Sequence, residues 1–199
     1  MASYLTIAGL STAVYREKMS RFMAFALPVS SVDEAKEAIA LYANEYHDAR
    51  HVCWAYMVGA DRTTYLSSDN GEPSGTAGKP ILGQINSFGL TNILIIVVRY
   101  FGGIKLGTSG LIAAYREAAR EAIESGGIIT AHEMGEMRIS FPYMSMNDVM
   151  KLLKNGDIKI SEQEFDNICS LKINATKDTL EQLSPRLSKV AQIICAPDE

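Results

Sequence analysis

The chain has 199 residues, of which 47% are hydrophobic and 21% are charged, and its net charge is −4. This composition is typical of a globular protein and disfavours disorder. The negative charge argues against indiscriminate nucleic-acid binding, which needs a basic excess. Residues 1–130 contribute −1 and residues 131–199 contribute −3, so an RNA site would be a local patch, for which the N-terminal part is the better place.

Cysteine use and hydropathy indicate the compartment. The three cysteines are widely spaced and form no CxxC motif, which argues against a disulfide framework or a zinc ribbon. A reducing cytosol fits this pattern, and no apolar run reaches the roughly 18 residues that a membrane span needs. We therefore expect a cytoplasmic protein that does not contact membranes, in an oligomeric state that the sequence leaves open.

The first part of the chain predicts alternating strands and helices. Extended runs at residues 4–14 and 21–29 predict an antiparallel pair of strands. Ser31 and Glu34 form a capping box, which predicts that a helix starts there. The next elements are strands at residues 51–58, 63–66 and 92–99, and helices at residues 80–88 and from Thr108 or Ser109 to about residue 125. The strand at 92–99 is almost uniformly apolar, which predicts burial on both of its faces.

The second part of the chain has a simpler order of elements. Gly126 and Gly127 end the preceding helix, and the polar stretch to residue 135 reads as a linker. The segments that follow predict strands at residues 136–141, 158–165, 168–175 and 191–195, and helices at residues 145–155 and 177–188. This βαββαβ order is ferredoxin-like. We therefore predict two domains, over residues 1–130 and 131–199, and we find no polar constellation in the second that suggests chemistry.

Two glycine-rich loops, at residues 69–80 and 98–107, carry the strongest functional signal. Glycine lets backbone N–H groups approach a ligand closely, and we expect both loops to lead into helix N-termini, which favour anions. The charged residues of the loops have both signs and suit a specific polar ligand; they are Lys79, Arg99, Lys105, Asp69 and Glu72. A purely structural role stays open, because glycines also serve tight turns and Arg99 can pair with either carboxylate.

The common nucleotide-binding signatures do not match these loops. A Walker A loop needs a glycine at the position of Pro73 and a Ser or Thr at the position of Pro80. No GxGxxG motif follows the predicted strand at 92–99. Gly107 and Gly110 match the GxxG of a KH loop, but a match this short is weak and no KH order of elements surrounds it.

Other groupings of polar side chains favour structural roles. His47 and His51 resemble the zinc-binding HExxH motif, but the helix is expected to end before the second histidine. His51 and Cys53 share a strand face, where a buried cysteine is more often core than nucleophile. The carboxylates at 69 and 72 lie in a loop, where their separation does not fix a magnesium site. We therefore predict no metal, no cofactor and no catalytic residue.

Four blocks of this sequence resemble the signature segments of the YigZ/IMPACT family; they are residues 20–23, 49–56, 69–82 and 99–107. The resemblance covers roughly residues 1–128, and it departs from the family pattern with Asn70 in place of Asp and Ser109 in place of Gly. It implies an α+β fold. The N-terminal domain would be like the second domain of a small-subunit ribosomal protein, and the C-terminal ferredoxin-like domain would be like one in elongation factor G.

The resemblance also implies a role near translation, through RNA or ribosome contact in bacterial members and through protein partners in eukaryotic ones. We therefore predict a non-enzymatic binding protein that contacts RNA, the ribosome or translation-related proteins through a glycine-rich groove. An enzyme acting on a phosphorylated or anionic small molecule and a pure protein-interaction module are the alternatives. Tyr100 is the aromatic residue that we expect to stack on a base. The predicted ligand-binding residues are Arg50, Asp69, Glu72, Ser74, Gly75, Thr76, Lys79, Arg99, Tyr100, Gly102, Gly103 and Lys105.

Overall fold

Helices and strands alternate along the chain in the computed structural model, which describes residues 3–154 and 157–195. The elements form several sheets with helices packed on them, which confirms a mixed α and β architecture. They fall into two compact units, one over Tyr4–Ala131 and one that takes the described residues from His132 onward together with Ser3. These are called the N-terminal and the C-terminal unit below. Within the described ranges, no helix has the length and hydrophobicity needed to cross a membrane.

The N-terminal unit is built on a five-stranded antiparallel sheet. Its elements are β1 (Ser3–Ile7), β2 (Ser11–Glu17), β3 (Ser20–Pro28), α1 (Val32–Glu45), β4 (His51–Val58), β5 (Thr64–Ser68), α2 (Gly78–Ser87), β6 (Ile93–Tyr100), α3 (Gly107–Gly126) and β7 (Ile128–His132). The sheet has the strand order β2-β3-β6-β4-β5, and β1 pairs separately with β7. Strand β6 therefore lies at the centre of the sheet, between β3 and β4.

Strand β6 is buried on both faces, as its uniformly apolar sequence predicts. The odd-numbered residues of 93–97 pack in one core with α2 and α3, and the even-numbered residues of 94–98 pack in another with α1. Successive side chains of a strand point to opposite faces. Arg99 consequently follows onto the α2 and α3 face, whereas Tyr100 packs on the α1 face.

Helix α1 begins as predicted. The Ser31 hydroxyl accepts a hydrogen bond from the backbone N–H of Glu34 at 3.1 Å. The return bond differs from a standard capping box, because the Glu34 carboxylate accepts from the backbone N–H of Ser30, at 2.7 Å, rather than from that of Ser31.

Three predicted details of the N-terminal unit are wrong. The extended run at 4–14 is two strands, because β1 leaves the main sheet to pair with β7. The stretch predicted as a linker therefore contains a strand, β7. It starts directly after Gly127, the residue that ends α3 with a φ of +70°. Helix α3 begins at Gly107 behind Leu106, which makes no side-chain capping bond, so neither Thr108 nor Ser109 is its cap.

The C-terminal unit has the predicted βαββαβ order. Its elements are β8 (Met134–Pro142), a 3-10 turn (Tyr143–Ser145), α4 (Met146–Leu153), β9 (Lys159–Glu164), β10 (Ile168–Thr176), α5 (Lys177–Leu187) and β11 (Gln192–Cys195). The sheet order is β11-β8-β10-β9. Leu180, Leu183 and Leu187 form an apolar stripe on α5 that is buried in the core of this unit. Asn155, the predicted last residue of the first helix, lies outside the described residues.

Candidate functional site

A pocket of about 360 Å³ opens in the N-terminal unit, where β6 ends and α3 begins. Both glycine-rich loops contribute to its wall, as does the start of β4. Its lining residues are Arg50, His51, Glu72, Pro73, Arg99, Phe101, Lys105, Leu106, Gly107, Thr108 and Leu111. The volume is within the range of roughly 300–1,000 Å³ that small-molecule sites occupy.

A buried ion pair between Arg99 and Glu72 forms part of the pocket wall. Arg99 Nη1 donates to Glu72 Oε1 at 2.7 Å, and the two side chains are only 7% and 3% exposed. The guanidinium carbon also lies 5.5 Å from the ring centroids of Phe22 and of Phe101, within cation–π range. These contacts fix the orientation of the guanidinium. Its Nε atom is buried and has no hydrogen-bond partner in the described part of the chain.

A chain of hydrogen bonds supports the Glu72 carboxylate from the interior. The Tyr115 hydroxyl donates to Glu72 Oε1 at 2.9 Å, and Cys53 Sγ lies 3.3 Å from the Tyr115 oxygen and 2.9 Å from the carbonyl oxygen of Asp69. Burial raises the pKa of the Cys53 thiol to about 12 and also raises the pKa of Tyr115. Cys53 is therefore a neutral, buried thiol and not a nucleophile.

His51 contributes an imidazole nitrogen to the same wall. Its Nδ1 lies 3.0 Å from the carbonyl oxygen of Asn70. A carbonyl can only accept a hydrogen bond, so Nδ1 carries the proton and donates. In the neutral ring Nε2 is then an acceptor, and it lies 3.9 Å from Glu72 Oε2.

The mouth of the pocket is positively charged. Arg50 and Lys105 are exposed lining residues. Gly107 and Thr108 are the first two residues of α3, which is 20 residues long and whose N-terminus has no side-chain cap. Uncapped N–H groups and the helix dipole favour an anion at this point. The buried Arg99 guanidinium also lines the wall, where its charge is balanced by Glu72.

Asp69 has a structural role inside its own loop. Its carboxylate accepts from the backbone N–H groups of Gly75, Ala77 and Gly78 at 2.8, 3.0 and 2.8 Å, and so it caps α2 from a distance in sequence. Burial alone would raise the pKa of this carboxyl, but the three N–H groups and the nearby Lys79 hold its pKa below the usual value. Asp69 does not line the pocket.

Gly102 allows two segments of backbone to pack closely. A Cβ atom at this position would lie 2.0 Å from the carbonyl carbon of Met19, in the β2–β3 turn. The Gly102 N–H also donates to the Ser20 hydroxyl at 3.3 Å. The adjacent Gly103 has open space around it and a φ of +91°. These glycines hold the 98–107 loop in place, and neither lines the pocket.

The structure gathers four of the predicted ligand-binding residues at this pocket; they are Arg50, Glu72, Arg99 and Lys105. Gly75 and Lys79 line a separate depression beside α2 and α3 that also includes Arg116. Ser74 and Thr76 stay within the 69–80 loop, where the Thr76 hydroxyl donates to the carbonyl of Pro73 at 2.6 Å.

Tyr100 lies on the opposite face of the sheet from the pocket. Its hydroxyl donates to Asp48 at 2.8 Å, and the Arg21 guanidinium lies 4.9 Å from its ring centroid. Sequence reasoning did not select Phe101 or His51 as ligand-binding residues. The period-2 alternation of β6 was the available signal, since it places residue 101 on the same side as Arg99. His51 is paired with Arg99 across β4 and β6.

Within the described residues, no group of three or more His, Cys, Asp or Glu side chains is placed to hold a metal ion. The Asp69 carboxylate already accepts hydrogen bonds from three backbone N–H groups, and Glu72 is paired with Arg99. What the pocket offers is a set of cationic and N–H donors beside an apolar wall, an arrangement suited to anion binding.

Comparison with known proteins gives a concordant result. A family model described as the Impact N-terminal domain matches residues 18–123. The chain is 34% identical over 190 residues to the IMPACT family member YigZ of Escherichia coli, covering 94% of this chain and 93% of that protein. It is 33% identical over 193 residues to an IMPACT family member of Haemophilus influenzae, covering 95% and 93%.

Solved structures extend the comparison. A crystal structure of a hypothetical protein is 32% identical, covers 100% of both chains and superposes with a TM-score of 0.76. Yih1, described as a two-domain translational regulator, aligns with 59% of this chain and 48% of its own at 25% identity and a TM-score of 0.39.

Proposed function

This chain belongs to the IMPACT family, and we propose that it is a cytoplasmic, non-enzymatic protein with a role in or near translation. It would bind RNA through the pocket of its N-terminal unit. RNA here includes the RNA of the ribosome. The observation that carries the proposal is the convergence of Arg50, Lys105 and the uncapped start of α3 at one pocket. In a chain with a net charge of −4, such a local cluster supports specific rather than indiscriminate binding.

The role near translation comes from the family. The resemblance of the signature segments implied it, and family membership supports it. The fold names are part of the same proposal. The βαββαβ order and the sheet order β11-β8-β10-β9 support a ferredoxin-like C-terminal unit. An N-terminal unit of the ribosomal-protein type is proposed from the family alone.

The test must use exposed residues of the pocket. Arg99 is unsuitable, because its removal would leave Glu72 charged and unpaired in the interior, and the resulting loss of stability would mimic a loss of binding. Arg50 and Lys105 are exposed, so Arg50→Ala/Lys105→Ala is the informative variant. Arg16→Ala/Lys36→Ala removes the same charge from exposed positions outside the pocket and serves as the matched control.

The assay is co-sedimentation with ribosomes and titration of single-stranded RNA at several salt concentrations. We expect wild type and control to bind, with affinity falling as salt rises. The pocket variant should bind more weakly for all RNA sequences, and its log–log salt slope should be shallower by roughly 1–2. Equal binding by the pocket variant and the control would refute the proposal.

An enzyme acting on an anionic small molecule is the second candidate. It is favoured by the arrangement of His51 beside Glu72 and Arg99, since an acceptor nitrogen next to a fixed guanidinium can serve acid–base chemistry on a bound phosphate ester. The test is a turnover screen with phosphorylated small molecules, comparing wild type with His51→Gln. Turnover by wild type that the variant loses would support this candidate, and its absence in wild type would remove it.

A further inference from the structure

We propose that the pocket receives a single nucleotide unit of the RNA, with the base inside against Phe101 and the phosphate at the mouth. This inference rests on the proposed function and names the part of the ligand that the pocket recognises. It separates capture of an unstacked base from contact with the phosphate backbone alone. Proteins that recognise single-stranded RNA commonly hold such bases on aromatic side chains.

The shape of the site favours a base over a bare phosphate. Cationic side chains on an open surface are sufficient to follow a phosphate backbone, whereas this site also has a pocket of about 360 Å³. Its wall includes the apolar side chains of Pro73, Phe101, Leu106 and Leu111. A phosphate gains nothing from these groups, but the faces of a planar heterocycle do.

Phe101 is suited to act as the stacking platform. Its side chain is 47% exposed although it is large and apolar, and it lines the pocket. The ring lies 5.5 Å from the Arg99 guanidinium, and the next residue, Gly102, packs tightly against the backbone at Met19. The ring is therefore held in place before a ligand arrives, which lowers the entropic cost of binding.

The polar groups of the wall suit the edge of a base. Arg99 lines the pocket and carries guanidinium N–H donors beyond the Nη1 hydrogen bond to Glu72. His51 presents Nε2 as an acceptor in its neutral form. A donor and an acceptor in one wall complement a heterocycle that carries both kinds of group, as nucleobases do.

The phosphate site at the mouth has two independent supports. The first is the uncapped N-terminus of α3, at Gly107 and Thr108. The second is the exposed cationic side chains of Arg50 and Lys105. A phosphate between them would accept hydrogen bonds from backbone N–H groups and be neutralised by the side chains.

The experiment is calorimetric titration of the full chain with uridine and adenosine 5′-monophosphates, the matching nucleosides and inorganic phosphate. Phe101→Leu removes the aromatic ring and keeps an apolar side chain. Tyr65→Leu is its matched control, because Tyr65 is 57% exposed on β5 and does not line the pocket. Lys105→Ala removes part of the phosphate site. Circular dichroism and thermal unfolding verify that each variant is folded.

We expect a monophosphate to bind at least about 10-fold more tightly than inorganic phosphate or nucleoside. Phe101→Leu should weaken monophosphate binding by roughly 5-fold or more, the lower end of the range for loss of one aromatic stack, and should leave phosphate binding unchanged. Lys105→Ala should weaken the binding of the monophosphate and of inorganic phosphate, but not the binding of the nucleoside. Tyr65→Leu should match wild type.

Two results would overturn the inference. One is equal affinity for monophosphate and inorganic phosphate, and the other is monophosphate binding that Phe101→Leu does not change. If either occurs while the Arg50→Ala/Lys105→Ala variant still loses RNA in co-sedimentation, the proposed function stands and only the base pocket is wrong. If RNA binding by that variant is also unchanged, both are wrong.

Discussion

Replacing Arg99 by Ala is expected to destabilise the N-terminal unit severely. Arg99 and Glu72 meet at 2.7 Å with side chains only 7% and 3% exposed, so the variant leaves a carboxylate in the interior with the Tyr115 hydroxyl, at 2.9 Å, as its hydrogen-bond donor. Breaking a buried pair from one side costs about 3–5 kcal/mol. Whole proteins have a free energy of unfolding of about 5–15 kcal/mol, so the loss is a large fraction of the stability of the unit.

The assay is urea unfolding followed by tryptophan fluorescence. Trp54, on β4, is the single tryptophan of the chain, so its signal reports on the N-terminal unit and avoids a two-state assumption for the whole protein. With an m-value of about 2 kcal/mol/M, the predicted loss lowers the midpoint by about 2 M. Arg120→Ala is the control, since its partners Glu117 and Glu124 are partly exposed, and its midpoint should stay close to that of wild type.

A double variant separates the buried charge from simple loss of packing. Arg99→Met/Glu72→Gln removes both charges and keeps an amide oxygen that can accept from the Tyr115 hydroxyl. It should be more stable than Arg99→Met, which has the same side-chain packing but leaves Glu72 charged and unpaired in the interior. A midpoint for Arg99→Ala within about 0.5 M of wild type, or a double variant no more stable than Arg99→Met, would refute this reasoning.

Three further predictions concern Asp69, two glycines of the 98–107 loop, and Cys53. Asp69→Asn should lower the free energy of unfolding by about 1–2 kcal/mol at neutral pH by weakening the cap of α2. Because the folded-state pKa of Asp69 is lowered, its contribution exists above the unfolded pKa of about 3.9 and disappears as pH falls through the folded value, so the urea midpoints of variant and wild type should converge in acid. Gly102→Ala should cost about 3 kcal/mol because its Cβ meets the backbone of Met19, whereas Gly103→Ala, in open space at positive φ, should cost about 1 kcal/mol in thermal unfolding. Cys53 should react with a thiol reagent at least about 100-fold more slowly in the folded protein than in urea, since burial raises its pKa to about 12. The rate is measured in the Cys169→Ala/Cys195→Ala variant, which leaves Cys53 as its one cysteine.

Local patterns were sufficient to predict most of the elements. Strand β6 was identifiable because its uniformly apolar sequence is explained by the two cores that bury its two faces. The start of α1 was identifiable because its cap is a side chain three residues from its partner. Strand β7 was missed because its partner β1, at residues 3–7, is far from it in sequence, and no local pattern identifies a pairing of that range. The start of α3 was missed because it has no side-chain cap to detect.

The sequence does not show what each residue of the two glycine-rich loops does. Asp69 and Glu72 are three residues apart in one loop, yet Asp69 caps α2 while Glu72 pairs with an arginine from another strand. Their roles depend on which backbone N–H groups and which guanidinium come within about 3 Å, and this is decided by tertiary packing. Tyr100 and Phe101 show the same limit, since one residue of register on β6 exchanges the face of the sheet on which a side chain lies.

The position of Arg99 links the stability of the unit to the proposed binding. A guanidinium at the centre of the sheet is costly to bury, and Glu72, Phe22 and Phe101 are arranged around it at 2.7, 5.5 and 5.5 Å. An apolar residue there would fill the space without a desolvation cost and without needing Glu72. The sequence instead keeps a matched acid in the 69–80 loop and base near the end of β6, and both line the pocket. Arg50 and Lys105 are exposed, so salt screens their charges, whereas the buried Arg99 is screened much less. We infer that the exposed pair sets how strongly the ligand is attracted and that Arg99 sets how it is oriented.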